Sequence, residues 1–187
     1  MHDGIMRDLG IVVELDKLPF SFKTVLDVGG THNTYSKYCL DKDFSILNIE
    51  NYSVNEKIKF YQASILDMPF EENHFDVVIT NDTLEHIPRN QRKKAISELI
   101  RIAKKGVIIG VPCGNTTKKY EKFVLKLGLW LKRDMRWLKE HEEAEISNCS
   151  EIINSIKNNK EVKNLSIIKN NNLNIWLLTS LSGPFMR

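Results

Sequence analysis

The chain has 187 residues with 27 basic and 24 acidic side chains, which gives a formal net charge of +3. This length suits one domain with a full apolar core, and so small an excess of positive charge does not by itself indicate a nucleic-acid partner. No apolar run approaches the roughly 20 residues that a membrane-spanning helix needs, and no signal peptide is recognisable, so a cytoplasmic location is expected.

Strand and helix patterns alternate along most of the chain. The predicted elements are a lead-in of short helix or irregular structure at 1–21, strands at 23–28, 45–49, 57–61, 75–80 and 107–111, helices at 33–40, 90–104, 116–140 and 150–159, and two closing strands at 164–169 and 173–179. Gly106 is expected to end the second of these helices. The pattern predicts an α/β sandwich with a mainly parallel sheet, in a single domain over 1–187.

The turn after the first strand is the most informative stretch. The strand ends in Asp27 and is followed by Gly29 and Gly30, and glycines let the backbone approach a ligand where a side chain would clash. The second strand ends at Glu50, 21 positions after Gly29. An acid at about this spacing meets the ribose hydroxyls in nucleotide-binding folds.

The same turn disfavours a dinucleotide. A pyrophosphate needs the spacing Gly-x-Gly-x-x-Gly, but Thr31 and Thr34 stand at the second and third glycine positions. The negative charge of Asp27 suits a cationic ligand better than a phosphate. A nicotinamide-dependent oxidoreductase is therefore a weaker hypothesis.

Four segments, TVLDVGGTHNTY at 24–35, SILDMPF at 64–70, NHFDVVI at 73–79 and LEHI at 84–87, resemble in order the motifs of class I S-adenosylmethionine-dependent methyltransferases of type 11. The resemblance covers about residues 22–112. It implies a Rossmann-like sheet of seven strands flanked by helices, with the last strand antiparallel, and S-adenosylmethionine as cofactor. Thr31 and Asn33 stand at later glycine positions of the family, and Thr34-Tyr35 is similar to a looser form, with one later aromatic, in members that act on sugars and cell-surface glycans.

The resemblance also implies a set of cofactor-binding positions along the strand ends. These are Asp27, Gly29 and Gly30 toward the methionyl part, Glu50 toward the ribose, Ser64 and Ile65 toward the adenine, and Asn81 toward the methionyl group or the acceptor. The serine hydroxyl stands where the family has an acid, and it can still accept a hydrogen bond from the adenine amino group.

Asp82, Glu85 and His86 form a second cluster, and they share one face if their segment is helical. We weigh three roles for His86. It is a general base tuned by the neighbouring acids, a metal ligand together with them, or a structural residue that hydrogen-bonds backbone. His86 and Asp82 are the candidate catalytic residues, and no metal site is assigned.

Residues 116–140 are basic and amphipathic, with Phe123, Val124, Leu127, Trp130 and Leu131 as the apolar stripe. We expect a cap over the acceptor pocket that is more mobile than the sheet. A peripheral contact with an anionic membrane is an alternative for this stripe, and a nucleic acid is disfavoured.

Three cysteines, Cys39, Cys113 and Cys149, are far apart and match no metal spacing, so reduced thiols are expected. Cys113 follows the fifth predicted strand and is expected to line the acceptor site as a small apolar residue. The function predicted is methyl transfer from S-adenosylmethionine to a small molecule or a sugar of a surface glycan. The alternative is a catalytically silent binding or scaffold protein with the same fold.

Overall fold

The computed structural model describes residues 2–31, 38–39, 41–130 and 148–168. The described helices are α1 (His2–Asp16), α2 (Arg89–Ile102), α3 (Asn115–Trp130) and α4 (Cys149–Lys157), with a short 3-10 turn at Leu84–His86. The described strands are β1 (Thr24–Val28), β2 (Asp43–Asn48), β3 (Lys59–Gln62), β4 (Phe75–Asn81) and β5 (Ala103–Gly110).

These five strands form one parallel sheet in the order β3-β2-β1-β4-β5, which confirms the predicted parallel α/β architecture. β1 lies at the centre with β2 on one side and β4 on the other, and its Val25, Leu26 and Val28 are fully buried. Apolar clusters cover both faces of the sheet, which explains why the central strands are almost continuously apolar.

Helix α2 packs its apolar face on the sheet through Ala95, Ile96 and Leu99, as the helical spacing predicts. The prediction that the helix reaches Lys104 and stops at Gly106 is wrong. The backbone becomes extended at Ala103, and β5 begins there. Gly106 lies inside the strand, where a Cβ atom would come within 3.0 Å of the Phe20 ring, so this glycine serves close packing rather than helix termination.

Helix α4 confirms the predicted helix at 150–159 to within two residues and buries Ile152. The strand predicted from residue 164 is wrong over 164–168, which have no helix or strand. Three other predictions lie wholly or partly outside the described residues. They are the antiparallel last strand at 173–179, the helix at 33–40 except for 38–39, and residues 131–140 of the predicted cap. The structure thus describes five strands of the seven that the resemblance implies.

The prediction that all three thiols are reduced is also wrong. Cys113 and Cys149 form a disulfide with Cα atoms 5.3 Å apart, whereas Cys39 is a free, buried thiol whose pKa is raised mainly by burial. The two bonded residues are 36 positions apart, but Cys113 follows β5 and Cys149 begins α4. The two cysteines are distant in sequence but close in the fold, so their spacing in the sequence did not predict the disulfide.

Candidate cofactor and acceptor site

The carboxyl ends of all five strands lie at one edge of the sheet because the strands are parallel. The chain leaves β1 between β2 and β4, which is where the strand order reverses and where open α/β sheets bind ligands. The fold therefore places the ends of β1, β2, β3 and β4, with the predicted cofactor residues at or just beyond them, on the same side of the molecule.

The turn after β1 is built so tightly that a Cβ atom on either glycine would clash with a neighbouring side chain. Gly29 has a φ of +87°, and a Cβ atom there would lie 2.1 Å from Oγ1 of Thr83. A Cβ atom on Gly30 would lie 2.2 Å from Oδ2 of Asp27. The side chain of Asp27 is only 4% exposed, so its carboxylate lies directly against the bare backbone of the turn.

Thr83 is a residue of this turn that the sequence analysis missed. Its hydroxyl is 3.2 Å from the carbonyl oxygen of Val28 and 3.3 Å from that of Asn81, and it donates toward both. The side chain thus joins the ends of β1 and β4 beneath Gly29. A threonine after an Asn-Asp pair carries no recognisable signal in the sequence, because the contact depends on which strands are neighbours.

Glu50 lies exposed just beyond the end of β2, where the sequence predicts the ribose ligand. The Tyr52 hydroxyl donates a 2.6 Å hydrogen bond to Oε2 of Glu50. This bond raises the pKa of Tyr52, because the neighbouring carboxylate favours the protonated phenol. Tyr52 therefore restricts the orientation of the Glu50 carboxylate.

Ser64 and Ile65 follow β3 and have different surroundings. The half-buried hydroxyl of Ser64 accepts a hydrogen bond from the Leu66 amide at 3.2 Å, and it retains a second lone pair for another donor. The Ile65 side chain is 7% exposed and belongs to the apolar core. Only the backbone of Ile65 thus remains for an adenine contact.

Asn81 and Asp82 lie where β4 ends. Oδ1 of Asn81 would come within 2.0 Å of a Cβ atom on Gly110, so the side chain packs on the bare backbone of β5. The Asp82 backbone has a φ of +51°, and its amide donates to the carbonyl oxygen of Gly110. A non-glycine residue in this left-handed region is uncommon and tends to occur at functional sites.

The expectation that Asp82, Glu85 and His86 share one helical face is wrong. Asp82 precedes the 3-10 turn Leu84–His86, and within that turn Glu85 is 1% exposed while His86 is exposed. A turn with three residues per rotation directs consecutive side chains about 120° apart, which separates the two. Within the described residues, no three His, Cys, Asp or Glu side chains are grouped to hold a metal ion.

Arg92 holds this 3-10 turn through its side chain, a role that no sequence pattern predicts. The side chain is 6% exposed, and its Nε donates to the carbonyl oxygens of Leu84 at 3.0 Å and Ile87 at 2.9 Å. A buried guanidinium that donates to these backbone carbonyls holds the His86 segment against α2.

Helix α3 begins just after β5 and presents two different faces. Glu121 and Val124 are buried, with Thr117 at 9% exposure, whereas Phe123 is 54% and Trp130 is 77% exposed. The apolar stripe predicted from the sequence is therefore divided, with part facing the domain and part facing outward. Within the described residues, no helix is both long and apolar enough to cross a membrane.

This sheet order, with a glycine turn after β1 and an acid after β2, is that of a Rossmann-like α/β fold. Residues 26–111 match the family model described as a methyltransferase domain. This segment of the chain is therefore similar in sequence to methyltransferase domains.

The comparisons with individual proteins agree with this class. A norajmaline N-methyltransferase from Rauvolfia serpentina is 32% identical over an aligned length of 82 residues, and the match covers 39% of this chain and 27% of that protein. An O-methyltransferase family protein from Burkholderia thailandensis has a TM-score of 0.58 at 18% identity and covers 83% of this chain and 51% of its own. The chain spans about a quarter of the length of the curated relatives it matches.

A further solved structure is 1,6-didemethyltoxoflavin-N1-methyltransferase from Burkholderia thailandensis, with bound 1,6-didemethyltoxoflavin and S-adenosylhomocysteine. Its TM-score is 0.50 at 17% identity, and the match covers 60% of this chain and 54% of that one. At this identity the likeness concerns the fold.

Proposed function

We propose that this protein transfers a methyl group from S-adenosylmethionine to a small molecule or to a sugar of a surface glycan. The observation that carries the proposal is the turn after β1, where the buried Asp27 carboxylate lies against Gly30, and where a Cβ atom on Gly29 or Gly30 would lie within 2.2 Å of a neighbouring side chain. Because the two glycines have no side chains, a ligand can approach the backbone of this turn closely, and the Asp27 carboxylate complements a cationic ligand.

The residues at this edge fit the parts of the cofactor. Asp27, Gly29 and Gly30 would hold the methionyl part, Glu50 the ribose hydroxyls, and Ser64 with the Ile65 backbone the adenine. Asn81 would face the methionyl group or the acceptor. When bound, the cofactor supplies a methyl group on a good leaving group, so the protein has mainly to align donor and acceptor and to exclude water.

The acceptor side is the edge near His86 and Asp82. His86 is exposed and lies on a turn that Arg92 holds in place, so it can take a proton from a hydroxyl or amine acceptor. The preference for a sugar rests on the likeness of residues 31–35 to glycan-directed members. A cytoplasmic location stays a prediction.

Calorimetry with S-adenosylhomocysteine tests the proposal. We expect micromolar binding, and we expect Asp27→Ala and Glu50→Ala each to weaken it about tenfold or more, since a lost charge-assisted hydrogen bond costs roughly 1.5–3 kcal/mol. His86→Ala should leave binding within a few-fold but lower methyl transfer to an accepted substrate. An absence of binding by the folded wild type would favour the scaffold alternative.

We also propose that the outward face of α3, within the predicted cap at 116–140, touches an anionic membrane surface. Exposed Lys119, Lys122 and Lys126 flank the exposed rings of Phe123 and Trp130, a combination that suits anionic headgroups. Flotation with anionic liposomes should show binding that salt reverses and that Trp130→Ala weakens. Val13→Ala, which truncates an exposed apolar side chain on α1, is the matched control. No flotation at low salt would leave a freely diffusing acceptor as the better hypothesis.

A further inference from the structure

Asn48, the last residue of β2, makes three hydrogen bonds that connect two parts of the candidate cofactor site. Its Nδ2 donates to the carbonyl oxygens of Gly29 at 3.1 Å and Gly30 at 3.0 Å. Its Oδ1 accepts from the backbone amide of Glu50 at 3.0 Å. One half-buried side chain therefore contacts the glycine turn after β1 and the acidic loop after β2.

This arrangement requires an amide. Two backbone carbonyls need a donor on one side of Asn48, and a backbone N–H needs an acceptor on the other, which fixes which end of the side chain carries the nitrogen. A carboxylate of the same shape would keep the acceptor but would place negative charge against two carbonyl oxygens. An apolar side chain would satisfy none of the three backbone groups.

The two connected loops carry the two ends of the ligand in the proposed function. Gly30 is also the residue against which the Asp27 carboxylate lies, so the bonds to Gly29 and Gly30 fix the surface that faces this carboxylate. The Glu50 backbone is fixed by Asn48, and its carboxylate is held from the other side by the Tyr52 hydroxyl. Asn48 thus stands between the predicted methionyl and ribose contacts.

We propose that Asn48 is a positioning residue for the cofactor, holding the glycine turn and the Glu50 loop at the separation that S-adenosylmethionine spans. The inference rests on the proposed function, because it assigns a role within the same site. Asn48 touches backbone in the structure and acts through Gly29, Gly30 and Glu50.

Calorimetry with S-adenosylhomocysteine on a double-mutant cycle tests this inference. We expect Asn48→Ala to weaken binding about tenfold, because three hydrogen bonds that orient the loops are lost. In the Glu50→Ala background the same substitution should cost less than about threefold, because the carboxylate that Asn48 orients is then absent. Asn48→Asp should weaken binding at least as much as Asn48→Ala, since it keeps the shape but replaces the hydrogen bonds to the two carbonyl oxygens with repulsion between acceptors.

Gln62→Ala is the matched control. Gln62 also donates from its amide to the backbone of this loop, at 3.2 Å to the carbonyl oxygen of Ile49, but this bond does not involve the glycine turn. We expect its effect on binding to stay within about twofold. Thermal melting of each variant confirms that the protein is folded under the binding conditions.

The outcomes separate the two proposals. If the folded wild type binds no S-adenosylhomocysteine, the proposed function is wrong and Asn48 has no such role. If the wild type binds but the Asn48 and Glu50 effects multiply independently, or Gln62→Ala costs as much as Asn48→Ala, the positioning role alone is overturned. A smaller effect of Asn48→Ala in the Glu50→Ala background than in the wild type cannot arise from a general loss of stability, so a positive result is specific.

Discussion

Two adjacent glycines in the turn after β1 are required for different reasons. Gly29 has a positive φ and lies against Thr83, whereas Gly30 lies against the carboxylate of Asp27. The first glycine therefore serves both backbone geometry and packing, and the second leaves space for a functional group. This distinction yields a prediction at the scale of single residues.

We expect Gly29→Ala to weaken S-adenosylhomocysteine binding at least tenfold and to lower the stability of the fold. A residue with a Cβ atom costs roughly 1–2 kcal/mol in the left-handed region, and crowding against Thr83 adds about 1–3 kcal/mol. Calorimetry gives the first effect, and urea denaturation gives the second.

Gly114→Ala is the matched control for backbone strain. Gly114 has a φ of +95°, but among the described residues a Cβ atom there would meet Sγ of Cys149 alone, at an ordinary 3.5 Å. We expect this variant to be destabilised by the backbone strain alone, without the crowding. It should bind the ligand within about threefold of the wild type. Equal losses of affinity in both variants would contradict a specific role for Gly29.

Among the elements, α2 does more than cover the sheet. Arg92 on one of its turns holds the His86 segment, and Arg101 near its end donates to the carbonyl oxygens of Met68 and Phe70. Glu98 binds the Arg101 guanidinium through two bonds of 2.8 Å. The helix thus anchors the loop after β3 and the turn after β4, which both border the candidate site.

We expect Glu98→Gln to lower the free energy of unfolding by about 1–2 kcal/mol at neutral pH. A charge-assisted bidentate pair contributes more than a neutral one, and the Glu98 and Arg101 side chains are only 18% and 27% exposed. Glu71→Gln, at an exposed carboxylate in the loop before β4, should change stability by less than about 0.5 kcal/mol.

The effect should depend on pH in a defined direction. The Arg101 hydrogen bonds hold the pKa of Glu98 below its ordinary value. A carboxylate with a lowered pKa in the folded state stabilises the protein above the pKa of the unfolded chain, about 4.3, and this contribution is lost as the pH falls through the lowered value. Urea midpoints of wild type and Glu98→Gln should therefore converge below about pH 4. A constant difference across this range would show that the pair contributes through shape rather than charge.

For the whole molecule, local patterns were enough to predict the five parallel strands, α2, α4 and the position of the glycine turn. Each of these depends on the periodicity of apolar residues within one segment. The end of α2 was misplaced because Gly106 has the signature of a helix stop but is required by the Phe20 ring from a distant segment. Side chains that join two strand ends, such as Thr83 and Asn48, were likewise missed, because their partners are determined only by strand order.

The disulfide is the clearest case of a feature that sequence spacing could not indicate. Cys113 and Cys149 are 36 residues apart, and the chain between them includes α3. Their contact requires that the loop after β5 and the start of α4 lie at the same edge of the sheet. The bond therefore joins the two ends of the chain segment 114–148, which includes the predicted cap.

We expect reduction of this disulfide to lower the free energy of unfolding by up to about 4 kcal/mol, because a bond that closes a loop of this length restricts the unfolded chain by that amount. Urea denaturation with and without dithiothreitol measures the change. Cys149→Ser should begin at the lower stability and be insensitive to the reductant, whereas Cys39→Ser should keep the full response, since Cys39 is the free thiol. Alkylation of the denatured, non-reduced wild type followed by mass spectrometry should find one free thiol. Three alkylated cysteines, together with a midpoint that dithiothreitol leaves unchanged, would show that the bond does not form in solution.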